Sequence, residues 1–464
     1  MTNLEGRLRA AKPEPFWLDD AEHPQPCAPL SRDVRADLLV VGGGYSGLWS
    51  ALLAIERNPG RNVMLVEAGV CGSEASGRNG GFCEASLTHG FDNGLARWPD
   101  EMPTLLRLGR ENLAAIEEAV SRYGIDCNFE RVGELDVATE HYQVEELREA
   151  TETMRAYGLA GEFLEREDAR SRFDSPAVQA ALYDPDVALV EPARLAWGLR
   201  AACLEAGVSI HEHSRATDID RDGDGVRVRV GGHTVCARKV VLATNAFPPL
   251  LRRLRLMTVP VYDYALMSEP LTDPQRKEIG WSGREGVGDS GNQFHYLRLT
   301  RDNRILFGGY DAIYHYGSTV KRSYEQRHET FLTLGKHFEE YFPSLEGIAF
   351  THRWGGVIDT STQFCAFYGT AYDGAVAYAL GFTGLGVGAT RFAALVMLDL
   401  LDAAATERTE LEMVRKKPLP FPPEPIRYAG VQATRWSLAR ADANGGKRNA
   451  WLKLTDALGL GFDS

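Results

Sequence analysis

Residues Ala36 to Glu56 read ADLLVVGGGYSGLWSALLAIE: a short apolar run, a glycine-rich turn and a helical pattern follow one another directly. Gly42, Gly44 and Gly47 stand in a G-x-G-x-x-G arrangement at the turn. There the first glycine permits a sharp turn, the second lets a pyrophosphate approach the backbone, and the third lets helix and strand pack closely. The helix that follows offers free N–H groups to phosphates at its N-terminus. The stretch therefore predicts a dinucleotide site.

An acidic residue ends the next buried strand and supports the same interpretation. Glu67 closes the run RNVMLVE, 20 residues after Gly47. A carboxylate at this point accepts hydrogen bonds from both hydroxyls of a ribose and repels a 2′-phosphate, which disfavours NADP. The alternative is a glycine-rich turn without a ligand. The strand before the turn, the helix after it and the acid at this distance together favour the dinucleotide.

The composition is that of an ordinary globular protein and excludes several classes of partner. The chain has 464 residues, 44% of them hydrophobic and 25% charged, with a net charge of −13. This length favours two domains. The negative charge disfavours nucleic acid and anionic membranes as partners. No apolar run approaches the ~20 residues of a membrane span, and the N-terminus lacks the apolar stretch of a secretory signal, so we expect a cytoplasmic protein.

The cysteines are seven in number and scattered, without a C-x-x-C motif or a Cys/His cluster. An odd, dispersed set is typical of reduced thiols in a cytoplasm, and we expect neither disulfides nor a metal site. The seven are Cys27, Cys71, Cys83, Cys127, Cys203, Cys236 and Cys365.

The order of elements predicts two interleaved domains. Patterns of nucleotide-binding type occur at the start of the chain, at 190–250 and at 345–405, and strand-rich material separates them. Within that material, HYLRLTRDNRILFGGY (295–310) is the best candidate for a β-hairpin. The predicted segments are an N-terminal extension (1–35), a cofactor-binding domain (36–110, 185–255 and 345–405), a substrate-binding domain (111–184 and 256–344) and a C-terminal tail (406–464) that the pattern does not place.

Residues 36–405 resemble the D-amino-acid-oxidase type of FAD-dependent oxidoreductases. The resemblance is carried by VVGGGYSGLW (40–49), Glu67, ASGRNGG (75–81), VVLATNA (240–246) and GFTGLGV (381–387). SGRNGG followed by RWGGVIDTS is most similar to the γ-glutamylputrescine oxidase branch, and PFWLDD near the start is similar to aminophosphonate oxidoreductases. The resemblance implies FAD rather than NAD. It also implies a mixed α/β fold, in which a Rossmann-like FAD-binding domain is interleaved with a β-sheet-rich substrate domain, as in glycine and sarcosine oxidases.

The resemblance also implies which residues hold FAD. Read from the residues alone, loop 75–81 also fits an ordinary surface loop. The glycines of loop 381–388 also fit close packing against a neighbouring backbone. At 384–387, a helix N-terminus would stabilise the negative charge of reduced flavin near N1 and O2. The implied contacts are Gly42, Gly44, Tyr45, Ser46 and Gly47 at the pyrophosphate; Glu67 and Ala68 at the ribose; Ser76, Gly77, Arg78, Asn79, Gly80 and Gly81 at the ribityl chain and flavin edge; Ala243 and Thr244 at the adenine half; and Gly384, Leu385, Gly386 and Val387 at the flavin.

Two departures from relatives bear on the chemistry. Sarcosine oxidases attach flavin to a cysteine in the region matched by RWGGVID, where this chain has tryptophan and glycine and where Cys365 comes about ten residues too late, so we expect non-covalent FAD. Those relatives also carry an oxygen-activating lysine in the segment similar to ILFGGY. Phe307 or a neighbour stands at that place here, which leaves open an acceptor other than O2.

The implied reaction is oxidation of the C–N bond of a small amine or amino acid, with hydride transfer to flavin N5. The imine is hydrolysed to an aldehyde or keto acid and ammonia or amine, and O2 becomes H2O2. Candidate catalytic residues are His295, Tyr296, Arg298, Arg353 and Trp354, with Tyr262 and Tyr264 as further aromatic walls. Strand alternation places His295 on the face opposite Tyr296 and Arg298. A core tyrosine at 296 and a salt bridge at 353 remain open as alternatives.

Two other functions stay open at this stage. An aminophosphonate-directed oxidoreductase needs several cations at the far end of its substrate, for which Arg298, His352 and Arg353 are candidates. The second alternative belongs to another class of protein. In it the chain is a scaffold subunit that holds FAD without turnover and uses its tail as an interaction segment. Reduction of the flavin by amines distinguishes the scaffold from an enzyme.

Overall fold

Two large β-sheets organise the chain in the computed structural model, which describes residues 3–460. The strands are β1 (Val34–Val41), β2 (Val63–Val66), β3 (Phe82–Glu84), β4 (Glu134–Ala138), β5 (Glu162–Glu165), β6 (Ala180–Asp184), β7 (Val187–Leu189), β8 (Ser209–His211), β9 (Ala216–Asp222), β10 (Gly225–Val230), β11 (His233–Leu242), β12 (Thr258–Ser268), β13 (Gly286–Asp289), β14 (His295–Leu299), β15 (Ile305–Gly309), β16 (Ile313–Tyr314), β17 (Phe350–Ser361), β18 (Phe367–Ala371) and β19 (Val376–Leu380).

The helices surround these sheets. They are α1 (Asn3–Ala10), α2 (Tyr45–Arg57), α3 (Phe91–Arg97), α4 (Met102–Arg122), α5 (His141–Ala156), α6 (Arg166–Arg172), α7 (Pro192–Glu205), α8 (Asp273–Glu278), α9 (His328–Tyr341), α10 (Gly386–Leu401), α11 (Glu407–Glu410), α12 (Glu412–Arg415), α13 (Ile426–Asp442) and α14 (Ala450–Ala457). Within residues 3–460, none of them combines the length and the apolar character that crossing a membrane requires.

The first sheet is the predicted nucleotide-binding layer. Its strand order is β18-β19-β11-β1-β2-β8, and β19, β11, β1, β2 and β8 run parallel. Val41 lies opposite both Val66 and Leu242, so three strands end at one edge. The residues that follow them, Gly42, Glu67 and Ala243, therefore meet there. Such an edge, at the carboxyl ends of parallel strands, is where open α/β sheets bind their ligands.

The second sheet supplies the wall that faces the first sheet's edge. Its order is β16-β12-β15-β14-β13-β4-β6-β5, with β17 paired along the other side of β12. The predicted hairpin at 295–310 is confirmed, because β14 pairs antiparallel with β15. Helix α9 covers one face, where Phe331 and Phe338 join the core of Leu266 and Phe307. The opposite face of the sheet is left for a ligand.

Two segments lie across the predicted domain boundaries. The predicted cofactor-binding segment 345–405 begins with β17, which pairs along its length with β12 and so belongs to the second sheet. The predicted substrate-binding segment 111–184 begins with the end of α4, whose Leu113 and Ile116 pack in the same core as α2 and α10. Pairing and packing partners distant in sequence fix both assignments, and the local pattern does not reveal them.

Within the tail that the sequence leaves unplaced, helices α13 and α14 form a pair. Trp451 Nε1 in α14 donates to Thr434 Oγ1 in α13 at 2.9 Å, and Asn449 Nδ2 donates to Ser437 Oγ at 2.8 Å. Helix α13 docks on the second sheet, because the Asp442 carboxylate accepts from the backbone N–H of Asn292 at 3.0 Å.

Candidate active site

A cavity of about 2350 Å³ runs from the carboxyl edge of the first sheet to the open face of the second. Ordinary small-molecule pockets have about 300–1,000 Å³, so this one has room for a large cofactor together with a substrate. Seventeen of the predicted cofactor-binding residues line it: Gly42, Gly44, Tyr45, Ser46, Glu67, Ala68, Ser76, Arg78, Asn79, Gly80, Gly81, Ala243, Thr244, Gly384, Leu385, Gly386 and Val387.

The glycine turn between β1 and α2 has the shape of a phosphate cradle. Gly42 has a φ of +112°, and a Cβ there would lie 2.3 Å from the carbonyl oxygen of Ala243. Gly47 does not line the cavity, because it packs α2 on the strand: its Cβ would lie 1.9 Å from the carbonyl oxygen of Gly42. Side chains at these positions would collide with the backbone and force the turn, the neighbouring strand and α2 apart. The turn therefore fits the phosphates of a dinucleotide.

Glu67 fixes the rim of this cradle. Its Oε2 accepts from the Gly43 N–H and its Oε1 from the Gly69 N–H, both at 2.7 Å. Tyr45 N, at the start of α2, donates to Ser76 Oγ at 2.9 Å. The carboxylate and the serine thus join the glycine turn to the two loops that follow β2.

Loop 75–81 is shaped by its own polar side chains. Asn79 Oδ1 accepts from the Gly81 N–H at 2.8 Å, and Asn79 Nδ2 donates to the Ala75 carbonyl at 2.9 Å. Arg78 is buried and donates from Nη1 to Glu325 Oε2 at 2.8 Å and from Nε to the Ser73 carbonyl at 2.8 Å. Arg78 therefore ties the loop to a segment that packs on the second sheet, and it already has a counter-charge.

Three buried side chains support loop 75–81 from behind. Trp354 Nε1 donates to the Arg78 carbonyl at 2.9 Å, and Trp17 Nε1 donates to the Asn79 carbonyl at 3.0 Å. Arg298 is 1% exposed and donates from Nη1 to the Gly80 carbonyl at 3.3 Å. Burial lowers the pKa of Arg298 to about 10. Trp17 and Glu325 also support the site, and the sequence did not reveal this role for either of them. Trp17 lies within the motif PFWLDD.

The loop before α10 is held by a buried acid. Asp359 accepts from the backbone N–H of Gly381 and, at 3.2 Å, from that of Phe382. Burial raises the pKa of Asp359 to about 7, against the effect of these two donors. Gly384 has a φ of +99°, with open space where a Cβ would stand, and α10 begins at Gly386. The helix N-terminus therefore opens into the cavity, as an anionic flavin edge requires.

A continuous row of residues crosses the open face of the second sheet. Tyr296 lies in the row beside two glycines, and its hydroxyl donates to Asp263 Oδ2 at 2.6 Å. Burial raises the pKa of Asp263 to about 6. Side chains opposite one another on paired strands share a face, so the row forms one surface. From strand to strand it reads Asp136, Gly288, Tyr296, Gly308, Ala265 and Trp354.

One end of this row is strongly acidic. A Cβ on Gly288 would lie 3.2 Å from both Asp136 Oδ1 and Glu134 Oε1, and Glu84 and Asp184 line the same part of the cavity. Burial raises the pKa of Glu84, Glu134 and Asp136, and repulsion between neighbouring carboxylates adds to it. None of the four forms an ion pair with an arginine or lysine of the described chain. Their raised pKa values keep these carboxyl groups partly protonated near neutral pH, and a cation bound beside them would favour the charged forms.

Three of the five predicted catalytic side chains do not line the cavity. His295 lies on the other face of β14, between Asp289 and His337, as alternation predicts. Arg353 donates to Gln326 and lies over the Phe331 ring on the side of α9. Arg298 lies beneath loop 75–81. Tyr296 and Trp354 do line the cavity, as does Tyr264, whereas Tyr262 and His352 do not.

The side chains considered for flavin attachment and oxygen activation lie elsewhere. Cys365 is buried outside the cavity, and none of the seven cysteines, all within residues 3–460, lines it. Phe307 packs against Phe338 on the α9 side of the sheet. No lysine of the described residues lines the cavity.

The two sheets and the glycine-lined cavity define a protein of the dinucleotide-binding class. Glycine oxidase from Geobacillus kaustophilus, a solved crystal structure, matches with a TM-score of 0.68 over 80% of this chain and 96% of that one, at 22% identity, which shows the fold. The family described as FAD dependent oxidoreductase (DAO) matches residues 37–400, and the chain belongs to it.

Curated relatives agree over most of the chain. Gamma-glutamylputrescine oxidoreductase of Escherichia coli (strain K12) is 30% identical over 396 residues, which are 83% of this chain and 88% of that protein. Probable oxidoreductase OrdL of Haemophilus influenzae is 25% identical over 398 residues, 83% of this chain and 87% of that one. The predicted family, fold class and cofactor are confirmed: the chain is an FAD-dependent oxidoreductase of the amine and amino-acid type.

Proposed function

We propose that the chain oxidises a C–N bond of a small cationic amine, with FAD held non-covalently. The observation that carries the proposal is the cavity that joins the glycine cradle to a sheet face ending in a cluster of carboxyl groups. FAD supplies the acceptor for the hydride that the amine's α-carbon loses. The positions of the cysteines, outside the cavity, support non-covalent binding.

The acidic end of the row favours an ammonium group on the substrate. Burial raises the pKa of all four carboxyl groups, their mutual repulsion adds to the rise, and a bound cation stabilises their charged forms. A hydrogen bond to a charged group contributes about 1.5–3 kcal/mol. Strands are about 4.8 Å apart, so Asp136 and Tyr296, two strands apart, are separated by about 10 Å along the row. An extended molecule with a distal ammonium group spans this distance, whereas a molecule the size of glycine does not.

The reacting nitrogen must be neutral when its α-hydrogen leaves. The Asp263 carboxylate, with its raised pKa, lies beside Tyr296 in the cavity wall and can accept a proton from the ammonium form. The Tyr296 ring packs against loop 75–81, because a Cβ on Gly80 would lie 2.9 Å from it. That ring and Trp354 exclude water from the substrate.

Water hydrolyses the imine product to an aldehyde or keto acid and ammonia or amine. With O2 as acceptor the second product is H2O2, but no lysine of residues 3–460 lines the cavity, which supports a dehydrogenase with another acceptor as the second candidate. The aminophosphonate function is less well supported, since Arg298, His352 and Arg353 lie off the cavity. Reduced scattered thiols support a cytoplasmic location.

The test is anaerobic reduction of the bound flavin by a panel of monoamines, α,ω-diamines, amino acids and aminophosphonates. We expect the diamines to reduce the flavin and bleach its yellow colour. We expect the aminophosphonates to leave the flavin oxidised and yellow. The variant Asp136→Asn raises KM for diamines, while Asp218→Asn, at a cavity carboxylate on the first sheet, leaves KM unchanged. Absence of bleaching by every compound, with FAD retained, contradicts the proposal and favours the scaffold. Peroxide detection after readmission of air distinguishes O2 from another acceptor.

A further inference from the structure

The C-terminal tail forms the outer wall of the cavity. The family match ends at residue 400, so this wall lies beyond the matched residues. Val431, Arg435 and Leu438 of α13 and Trp451 and Leu454 of α14 line the cavity. These side chains face the same space as the row on the second sheet, and the tail is therefore part of the site.

Helix α13 is fixed to loops that extend from the strands of the row. Arg435 Nη2 pairs with Asp311 Oδ1 at 2.8 Å, just after β15. The Asp442 carboxylate accepts from the backbone N–H groups of Asn292, at 3.0 Å, and Gln293, at 3.1 Å, between β13 and β14. The position of α13 thus follows the strands that carry Gly288, Tyr296 and Gly308.

The inward face of α13 is a regular helical stripe. Val431, Arg435, Leu438 and Asp442 follow one another at intervals of four, three and four residues, which places them on one side of a helix. Trp436 lies on the opposite side and is 60% exposed. Leu438 stands between the two anchoring side chains and presents an apolar surface to the cavity.

We propose that α13 sets the length of the amine that this enzyme accepts, with Leu438 as the specificity-determining residue. The inference rests on the proposed amine oxidation. A substrate held at the acidic end of the row extends into a space bounded by Leu438, so the side-chain volume at this position limits chain length. One methylene group in an apolar pocket changes kcat/KM by about 10-fold or more.

The test uses the full-length holoenzyme and α,ω-diamines of increasing chain length. We expect Leu438→Trp to lower kcat/KM for the longest accepted diamine at least ~10-fold relative to the shortest, and Leu438→Ala to extend the range. Trp436→Ala, on the outer face, is the matched control and leaves the length profile as it is. If kcat/KM depends on diamine length in the same way in the unsubstituted protein and in all three variants, the proposal is overturned.

A second measurement does not depend on turnover. Iodide quenching of the bound flavin's fluorescence reports access through the wall, and we expect the quenching constant to rise in Leu438→Ala, fall in Leu438→Trp and stay unchanged in Trp436→Ala. Equal constants in all four proteins overturn the proposal. If no amine reduces the flavin, the proposed function fails, and the quenching series still decides whether α13 forms the wall.

Discussion

The substitution Gly47→Ala tests the packing on which the cradle depends. The added Cβ would lie 1.9 Å from the carbonyl oxygen of Gly42 and 3.3 Å from Val40 Cγ1. Real Cβ atoms stay beyond about 3.0 Å from such atoms, so α2 must move away from β1 by about 1 Å. Overpacking of this kind costs about 1–3 kcal/mol, and contact with backbone places it at the upper end. Alanine gains about 1 kcal/mol over glycine in a helix, which leaves about 2 kcal/mol of net destabilisation.

The matched control is Gly6→Ala in α1, where the structure has open space around the new Cβ. It keeps only the gain in helix propensity and stabilises by about 0.5–1 kcal/mol. Thermal unfolding of the FAD-free proteins compares the two, and fluorescence titration measures FAD binding. We expect opposite shifts of the unfolding midpoint, and an FAD dissociation constant raised about 10-fold or more in Gly47→Ala, equivalent to about 1.4 kcal/mol. Parallel shifts, or unchanged FAD affinity, refute the assignment of Gly47 to helix–strand contact.

Three further predictions concern acidic residues of the site. Glu67→Ala leaves the N–H groups of Gly43 and Gly69 without their acceptors, and we expect the FAD dissociation constant to rise about 10-fold or more, whereas unchanged retention contradicts its role. Asp359→Asn can accept at one oxygen only, so we expect weaker FAD binding in equilibrium titrations, and equal affinity would show that the 381–387 loop needs no such anchor. Asp263 has a folded-state pKa of about 6, above its ordinary 3.8, so its stabilising contribution is complete below about pH 4 and is lost as pH rises through about 6. The unfolding midpoint of Asp263→Asn minus that of the unsubstituted FAD-free protein should therefore increase between about pH 4 and about pH 6. A difference that stays constant with pH would contradict the shifted pKa.

The cradle could be predicted from the sequence because its determinants are local. Gly42, Gly44 and Gly47 fall within one turn and its flanking elements, and Glu67 is only one helix and one strand further on. Alternation likewise gave the relative faces of His295 and Tyr296. It could not say which face meets the cavity, since α9, which covers the His295 side, is distant in sequence.

Other parts of the site depend on contacts between distant segments. Glu325 reaches Arg78 across 247 positions, and Asp442 reaches Asn292 across 150. The acidic end of the row combines β3, β4 and β6, each of which is an ordinary short strand when read alone. Arg353 was a reasonable candidate for binding a substrate anion, but its strand position turns it toward Phe331. Pairing register decides such cases, and local sequence does not specify it.

Loop 75–81 connects the two sheets. Its backbone carbonyls are held by Trp354 and Arg298 from the second sheet, while Ser76 accepts from the first turn of α2 on the cofactor side. Movement of the second sheet relative to the first would therefore distort this loop of the cavity wall. Because Tyr296 and Trp354 also belong to the row that lines the cavity, the same contacts set the position of the loop and of this sheet face. Both sheets line the same cavity, and loop 75–81 joins its two sides.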